Sequence, residues 1–337
     1  MYQATRNWLG NARLRYFGVR STLSDRYYFA MMALNELLFS SLRIRMVEEK
    51  IIELYPTDQI QSPVHLSIGQ EAVAVGVCAQ LLPTDWVFIN YRGHAFYLAK
   101  GGPLPEFFAE LMGRSGGLSK GKAGSMHLAD PEHGIIGASA VVASTISHAV
   151  GAALASKIKG EVGRVFVANF GDGAMEQGVF YESLNFASLH QVPILFLCED
   201  NGLAVHTSIN ERQAFNLEKL LETFHIPYFE LDEGYDPEKV QEVAKQAIDK
   251  VRQEQTPVFL KIRTTRYREH VGPGEDFQAG YRSEELINIW KSKDPLLKVS
   301  TEIHDFRIQI AAEIEEALRF AYTSPQPTIN DLLTDVI

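Results

Sequence analysis

The sequence of 337 residues lacks several features that would assign it to a specialised class of protein. Its two cysteines, Cys78 and Cys198, lie far apart in apolar sequence, so they offer neither a disulfide framework nor a zinc-binding spacing. Such sparse cysteine use favours a reducing compartment, and we predict a cytoplasmic protein. No apolar run reaches the roughly 20 residues that a membrane-spanning helix needs, which predicts a protein that does not bind a membrane.

Basic residues are also in deficit. The sequence carries 42 acidic and 32 basic residues, with a formal net charge of −10. A general nucleic-acid-binding protein needs a basic surface that displaces counterions from phosphates, so we expect no nucleic-acid partner. A small anionic ligand could still be held by a few local arginines.

Residues 1–24 depart from this charge balance, because they contain arginines at 6, 13, 15 and 20 and no acidic residue. We predict a basic N-terminal arm that lies on the protein or on a partner. The composition also resembles an organelle transit segment, and in that alternative the protein would reside in an organelle matrix.

Helices and strands alternate along the rest of the chain. A long helix is predicted over 25–54, with Ser24 as its N-cap. Short apolar runs that end in polar or glycine-containing turns are typical of buried parallel strands. These runs cover 86–90, 164–170, 193–199 and 257–264, and helices are predicted at about 141–158, 176–190, 216–224 and 236–253. The alternation predicts an α/β fold over residues 25–322, with one doubly wound, mainly parallel sheet and helices on both faces.

The segment 323–337 is predicted to be a docking tail. Its "DLLTDVI" stretch is apolar, weakly charged and preceded by a proline-containing segment. It could dock on a neighbouring subunit or pack on its own domain, and both alternatives stay open.

Polar residues follow two of the predicted strands. Gly171-Asp172-Gly173 comes after the strand that ends at Phe170, and Asn201 comes after the next one. Ligands of such sheets bind beyond the carboxyl ends of the strands, so the two polar side chains converge if the strands are neighbours. A carboxylate and an amide oxygen suit Mg²⁺ or Ca²⁺, and Mg²⁺ completes its octahedron with phosphate oxygens and water. The pair therefore predicts a metal clamp for a diphosphate.

The glycine-rich turn has two other possible interpretations, a surface turn and a dinucleotide-binding site. A lone G-D-G is most often a surface turn, but the D-N pair after a second apolar strand favours a site. Dinucleotide binding is disfavoured, because the first strand-to-helix turn that could carry it lacks the G-x-G-x-x-G fingerprint with an acid about 20 residues further on.

G-D-G followed at this distance by D-N resembles the thiamine-diphosphate motif. The surrounding chain, from about 25 to 337, resembles the alpha subunits of two-subunit 2-oxo-acid dehydrogenases, the pyruvate, branched-chain and acetoin dehydrogenases. Segments that match this family in its order are "HLSIGQEAVAVG" (65–76), "YRGHAFYLAKG" (91–101), "GRSGGLSKGKAGSMHLAD" (113–130), "GIIGA" (134–138), "RYREH" (266–270) and "SPQPTINDLLTDVI" (324–337). The resemblance implies the thiamine-diphosphate-binding fold.

The resemblance also implies roles for individual residues. Asp172 and Asn201 would coordinate Mg²⁺ through their side chains, and Leu203 would do so through its carbonyl. His65 and His270 match the two active-site histidines of the family. The remaining cofactor contacts that it implies are Tyr91, Arg92 and Arg266 at the diphosphate, backbone donors at Gly173 and Ala174, and Gly134 and Ile136 at the aminopyrimidine.

The implied activity is thiamine-diphosphate-dependent decarboxylation of a 2-oxo acid such as pyruvate, or cleavage of acetoin, with transfer of the acyl group to a lipoyl acceptor. The implied partners are a separate beta subunit, in an alpha2beta2 heterotetramer, and a lipoyl acyltransferase. Two alternatives remain: a two-subunit acyloin or ketol synthase outside any lipoyl complex, and a non-catalytic assembly subunit.

The sequence departs from the family pattern in two places. Asp200 replaces the first asparagine of the usual N-N pair, which adds a charge beside the presumed metal ligand. "TISHAVG" (145–151) replaces an apolar segment of many relatives, so Ser147 and His148 are predicted on a helix near the cofactor. The second departure leaves the substrate open.

Overall fold

The computed structural model describes residues 23–60, 62–298 and 300–334. The chain divides into two compact units, 1–36 and 37–337. The first helix, α1, covers Leu23–Leu54, which confirms the predicted long helix. Ser24, the predicted N-cap, lies inside this helix, so that part of the prediction is wrong. The predicted N-terminal arm lies outside the described residues except for its last two, which belong to α1.

The described residues contain one sheet of six parallel strands in the order β2-β1-β3-β4-β8-β7. Two further short strands form an antiparallel hairpin. The strands are β1 Trp86–Asn90, β2 Ile135–Ser139, β3 Phe166–Gly171, β4 Ile194–Asp200, β5 Leu203–Ala204, β6 Thr207–Ser208, β7 Tyr228–Leu231 and β8 Val258–Arg263. The predicted α/β fold with a parallel sheet is confirmed.

The four predicted strands are β1, β3, β4 and β8, and their bounds differ from the prediction by at most two residues. The two sheet strands that the sequence analysis missed, β2 and β7, lie at the two edges of the sheet. Their side chains are mostly half-buried. Continuous apolar runs are typical of strands that are covered on both faces. Edge strands of this kind lack such runs and therefore were not predicted.

Helices cover both faces of the sheet and the ends of the domain. The predicted helices at 141–158, 176–190, 216–224 and 236–253 are present with slightly shorter or shifted bounds. After α1, the helices are α2 Glu71–Cys78, α3 His94–Ala99, α4 Leu104–Leu111, α5 Ser144–Ile158, α6 Gly178–His190, α7 Leu217–Thr223, α8 Pro237–Glu254, α9 Glu284–Lys291, α10 Thr301–Thr323 and α11 Ile329–Leu332.

Alternate side chains along the central strands enter two separate hydrophobic cores. In β4, Leu195 and Leu197 belong to one core, whereas Phe196 and Cys198 belong to the other. The first core is mainly aliphatic and contains residues of α1, α2, α8 and α10. The second is rich in phenylalanine and contains residues of α5 and α6. This alternation follows from the two-residue repeat of a strand and explains why both faces need helices.

The described part of the predicted docking tail contacts its own domain. The carbonyl of Pro325 accepts hydrogen bonds from the backbone and the hydroxyl of Ser115, at 2.9 and 3.1 Å. Lys122 Nζ donates to the carbonyl of Thr334 at 2.6 Å. These contacts agree with the alternative of packing on the same domain, and docking on a neighbour stays a prediction. Across the described residues, no helix is long and apolar enough to cross a membrane.

Candidate active site

A cleft of about 240 Å³ lies at the edge of the sheet where β1, β2, β3 and β4 end. This is the edge at which parallel α/β sheets bind ligands. The cleft is lined by Gln70, Asn90, Tyr91, Arg92, Ser139, Val141, Val142, Ala143, Thr145, Phe170, Gly171, Asp172, Gly173, Ala174, Glu176, Gln177, Glu199, Asn201, Leu203, Ala204, Val205 and His270.

The two side chains predicted to bind a metal ion both line this cleft. Asp172 follows β3 and Asn201 follows β4, and these strands are neighbours in the sheet. Asn201 Oδ1 accepts the N–H of Leu203 at 3.1 Å, and its Nδ2 donates to Gln70 Oε1 at 3.3 Å. An amide oxygen has a second lone pair, so Asn201 Oδ1 can still bind a cation.

Asp172 is almost completely buried, with 1% of its surface exposed. Burial, followed by the nearby Asp200 carboxylate, raises the pKa of Asp172 to about 6, and the guanidinium of Arg212 opposes this shift. Arg212 forms an ion pair with the Oδ2 atom of Asp172, so a cation in the cleft would be bound through Oδ1.

The donor set of the cleft fits Mg²⁺. Within the described residues, no group of three or more His, Cys, Asp and Glu side chains could hold a metal ion. A cation here would therefore depend on the carboxylate of Asp172, the amide oxygen of Asn201 and the carbonyl of Leu203. Such hard oxygen ligands, with open positions for phosphate and water, are those that Mg²⁺ prefers.

The glycine-rich turn continues into a 3-10 segment, Asp172–Glu176, and the α-helix that follows begins only at Gly178. Gly173 packs against the hairpin formed by β5 and β6. A Cβ atom at Gly173 would lie 2.9 Å from the Cβ of Ala204. Gly173 therefore allows the turn to approach the hairpin, and both Gly173 and Ala174 line the cleft.

His65 and His270 are brought together by two chain segments that run side by side. The N–H of Gly272 donates to the carbonyl of Val64 at 2.8 Å, and a second backbone hydrogen bond joins the segments further along. Gly69 permits this approach, because its φ is +96° and a Cβ there would meet the carbonyl of Thr265.

Three rings cluster beside the cleft, and of these Tyr91 and His270 line it, whereas His65 is buried and does not. The ring centroid of His65 lies 4.5 Å from that of Tyr91 and 5.1 Å from that of His270. His65 Nδ1 is buried and has no hydrogen-bond partner among the described residues. Burial, followed by the charge of Arg92, lowers the pKa of each histidine to about 3. Both imidazoles are therefore neutral at physiological pH.

Arg92 is fixed between the two histidine segments. Its Nη1 donates to the carbonyl of Leu66 at 2.7 Å, and its Nη2 donates to the carbonyl of His270 at 3.2 Å. Its backbone N–H donates to Asn90 Oδ1 at 2.6 Å. Burial lowers the pKa of Arg92 to about 10, so the guanidinium is cationic at neutral pH. It is the arginine that lines the cleft, which suits a diphosphate ligand.

Arg266, the other arginine predicted at the diphosphate, is not among the residues that line the cleft. Its guanidinium is 1% exposed and is turned toward its own loop. There it forms an ion pair with Asp276 at 2.8 Å and donates to the carbonyl of Val205 at 2.9 Å and to the hydroxyl of Tyr281 at 3.1 Å. The loop 266–282 is closed around Asp276, which also accepts a hydrogen bond from Arg282 Nε at 2.6 Å.

The two residues predicted at the aminopyrimidine also lie outside the cleft lining. Gly134 precedes β2, at the opposite end of that strand from the cleft, where its carbonyl accepts the N–H of Val87 at 2.8 Å. Ile136 lies in β2, is half-buried and packs on the aromatic core. From the same strand, Ser139 reaches the cleft.

Several polar residues of the cleft were missed by the sequence analysis. Glu199 Oε2 accepts from Asn169 Nδ2 at 2.7 Å, and Glu199 Oε1 accepts from Gln70 Nε2 at 3.3 Å. Asn90 Nδ2 donates to Asn169 Oδ1 at 2.8 Å. Burial raises the pKa of Glu199. Ligands bind at the carboxyl ends of strands, and this rule identifies Asn90, the last residue of β1, and Glu199, the residue before the last in β4. No motif points to Arg212.

Ser147 and His148 were expected near the cofactor, and neither lines this cleft. The first turn of their helix does reach it, through Thr145. Ser147 Oγ donates to the carbonyl of Ser144 at 3.0 Å and lines a shallow groove between α5 and α6. His148 is exposed.

Comparisons with known proteins identify a family for the chain. The profile of the family described as "Dehydrogenase E1 component" matches residues 40–330. The alpha subunit of acetoin:2,6-dichlorophenolindophenol oxidoreductase from Bacillus subtilis is 35% identical over 305 residues, which cover 88% of this chain and 90% of the relative. The alpha subunit of the pyruvate dehydrogenase E1 component is 36% identical in Rhizobium meliloti, over 88% of this chain and 87% of the relative. In Zymomonas mobilis it is 36% identical, over 94% and 91%.

Proposed function

The chain belongs to the dehydrogenase E1 component family, and on that basis we propose that it is the alpha subunit of a thiamine-diphosphate-dependent oxidoreductase. The enzyme decarboxylates a 2-oxo acid such as pyruvate, or cleaves acetoin, and transfers the acyl group to a lipoyl acceptor. It is active together with a beta subunit, in an alpha2beta2 assembly, and the acyl acceptor belongs to a lipoyl acyltransferase.

The observation that carries this proposal is the cleft at the carboxyl ends of the strands. Two hard oxygen ligands, Asp172 and Asn201, stand beside the glycine-rich turn, and Arg92, Tyr91 and His270 stand on the β1 side. A metal-bound diphosphate needs this combination of a carboxylate, an amide oxygen and a guanidinium fork within one space.

When bound, thiamine diphosphate supplies a thiazolium carbon that acts as an electron sink for decarboxylation. Mg²⁺ would be held by Asp172, Asn201 and the Leu203 carbonyl. Arg92 and Tyr91 would contact the diphosphate, with backbone donors from the turn after β3.

His270 supplies a neutral imidazole to the cleft and His65 packs against it as a second neutral imidazole, because burial and Arg92 lower the pKa of both rings. A neutral imidazole can accept a proton or donate its N–H, depending on tautomer. His270, whose ring lines the cleft, therefore offers hydrogen-bonding capacity to a substrate or to the acyl acceptor, whereas the unpartnered Nδ1 of His65 is buried behind it.

The metal part of the proposal is tested by Asp172→Ala. We expect Mg²⁺-dependent binding of thiamine diphosphate to weaken by more than about 100-fold, since loss of an outer-shell partner alone typically costs about 10–100-fold in metal affinity. Isothermal titration calorimetry of the enzyme assembled with its beta subunit measures this affinity. Asp249→Ala is the control, because it removes the same charge from an exposed pair with Lys245. Undiminished affinity in Asp172→Ala would refute the assignment.

The subunit part of the proposal is tested by turnover. The family draws an essential glutamate for the cofactor from the beta subunit, so the purified chain should decarboxylate no 2-oxo acid. Co-expression with its beta partner should restore activity. Turnover of pyruvate by the single chain at the rate of an assembled enzyme would contradict this part.

A further inference from the structure

Arg212 joins the glycine-rich turn to the segment that follows the hairpin. It stands directly after a 3-10 turn, Ile209–Glu211, and 10% of its side chain is exposed. Its Nη2 is ion-paired with Asp172 and its Nη1 with Glu176. Its Nε donates to the carbonyl of Thr207 at 3.1 Å. All three nitrogens of the guanidinium are therefore engaged by acceptors.

The guanidinium lies outside the set of residues that line the cleft. Asp172 and Glu176 both line it, whereas Arg212, which is bonded to both, does not. Arg212 therefore contacts the carboxylate of Asp172 without being part of the cleft lining. It uses Oδ2, so the second oxygen is the one that the carboxylate can present to a ligand.

The next residue fixes the main chain at the same point. Gln213 Nε2 donates to the carbonyl of Asp172 at 3.1 Å and also to the Glu176 carboxylate. Consecutive residues thus hold both the side chain and the backbone of Asp172. Arg212 and Gln213 both hold Asp172 in place. Neither residue lies in one of the segments that match the family.

We propose that Arg212 is a positioning residue for the metal site: it holds Asp172 in the orientation that binds a divalent cation, and Gln213 supports it through the backbone. The inference rests on the proposed function, because it needs Asp172 to be a metal ligand. Carboxylates that bind metals are themselves hydrogen-bonded, and removal of such a partner typically costs about 10–100-fold in metal affinity.

If Arg212 competed with the metal ion, its removal would have the opposite effect on metal affinity. If Arg212 occupied the position of the cation, its removal would tighten metal binding. The three anchors of its guanidinium and its absence from the cleft lining favour positioning over competition.

The experiment compares Arg212→Gln and Arg212→Lys with Arg164→Gln in the full chain assembled with its beta subunit. Arg164 pairs with Glu161 just before β3, at the opposite end of that strand, so its replacement removes the same charge from a remote position. Mg²⁺ affinity is measured by calorimetry with thiamine diphosphate present, and bound Mn²⁺ is followed by electron paramagnetic resonance. Thermal unfolding without metal shows whether each variant is folded.

We expect Arg212→Gln to bind Mg²⁺ about 10–100-fold more weakly and to change the spectrum of bound Mn²⁺. Arg212→Lys should recover part of the affinity, because an ammonium keeps one contact but cannot fork between two carboxylates. Arg164→Gln should bind like the wild type.

Unchanged or tighter Mg²⁺ binding in Arg212→Gln, with normal binding by the wild type, would overturn the inference alone. If the wild type itself binds neither Mg²⁺ nor thiamine diphosphate, the proposed function fails and the inference fails with it. If Arg212→Gln does not fold, Gln213→Leu replaces it. That variant should weaken Mg²⁺ binding without loss of charge, and normal binding would again overturn the inference.

Discussion

Replacing Gly173 by alanine should loosen the contact between the glycine-rich turn and the hairpin. The added Cβ would lie 2.9 Å from the Cβ of Ala204 and 3.6 Å from its Cα. Neither atom belongs to a flexible side chain, so the hairpin itself has to shift by several tenths of an ångström. Insertion of a methyl group into a packed contact of this kind typically costs about 1–3 kcal/mol.

The chain offers a matched control five residues further on. Gly178 begins α6 and is exposed, and a Cβ there meets no heavy atom within 4 Å. Gly178→Ala should leave the free energy of unfolding unchanged or raise it by up to about 1 kcal/mol, because alanine favours a helix and restricts the unfolded chain.

Urea unfolding gives the free energies, and calorimetry gives the affinity for Mg²⁺ and thiamine diphosphate. Gly173→Ala should be less stable than Gly178→Ala by about 1–4 kcal/mol, the sum of the two expected effects. It should also bind the cofactor more weakly, because the hairpin carries Leu203 and the segment with Arg212 supports Asp172. Equal stability of the two variants would refute the packing argument.

Two further predictions concern the histidines and the loop. The folded pKa of His65 and His270, about 3, lies below the ordinary value of 6.5. The unfolded chain therefore binds more protons, so stability should be fully present above pH 6.5 and fall between 6.5 and 3. The slope should stay below about 1.4 kcal/mol per pH unit per ring, since both are partly solvated. Urea midpoints from pH 7 to 5 should fall less in the variant with both histidines changed to asparagine, and parallel curves would contradict this. In the loop 266–282, Asp276→Asn should speed tryptic cleavage because Arg266 loses its carboxylate partner. Cofactor should slow cleavage of the wild type, and a rate that is insensitive to both changes would contradict the loop prediction.

Local sequence patterns were sufficient to predict that Asp172 and Asn201 lie at the ends of neighbouring strands. Asp172 and Asn201 each follow an apolar run that forms a fully buried strand, and the parallel sheet places those strands side by side. Both positions follow from the ends of two strands, and no contact between distant parts of the sequence is needed to predict them. The same patterns did not predict the edge strands or the helices α2, α3, α4, α9 and α10. The sequences of these elements are short or do not alternate with buried strands.

The histidine side depends on contacts between segments about 200 residues apart in sequence, which no periodicity reveals. His65 and His270 meet because the segment of Val64 pairs with that of Gly272, and the family resemblance supplied both residues. The same resemblance placed Arg266 at the diphosphate, whereas the structure pairs it with Asp276. An arginine can satisfy its guanidinium with a carboxylate of its own loop or with a phosphate, and sequence alone does not choose between them.

One buried carboxylate determines the orientation of the amide side chains that link the two sides. Glu199 accepts from the amide nitrogens of Asn169 and Gln70. Each of these amides therefore turns its oxygen outward, where Asn169 accepts from Asn90 and Gln70 accepts from Asn201. Each of the four amide nitrogens thus donates to an acceptor, and all four bonds run in one consistent direction toward Glu199. Because Asn201 must give its nitrogen to Gln70, its oxygen is left for the Leu203 N–H and for a cation. The carboxylate of Glu199, near the end of β4, thus determines that Asn201 offers its oxygen and not its nitrogen to a cation.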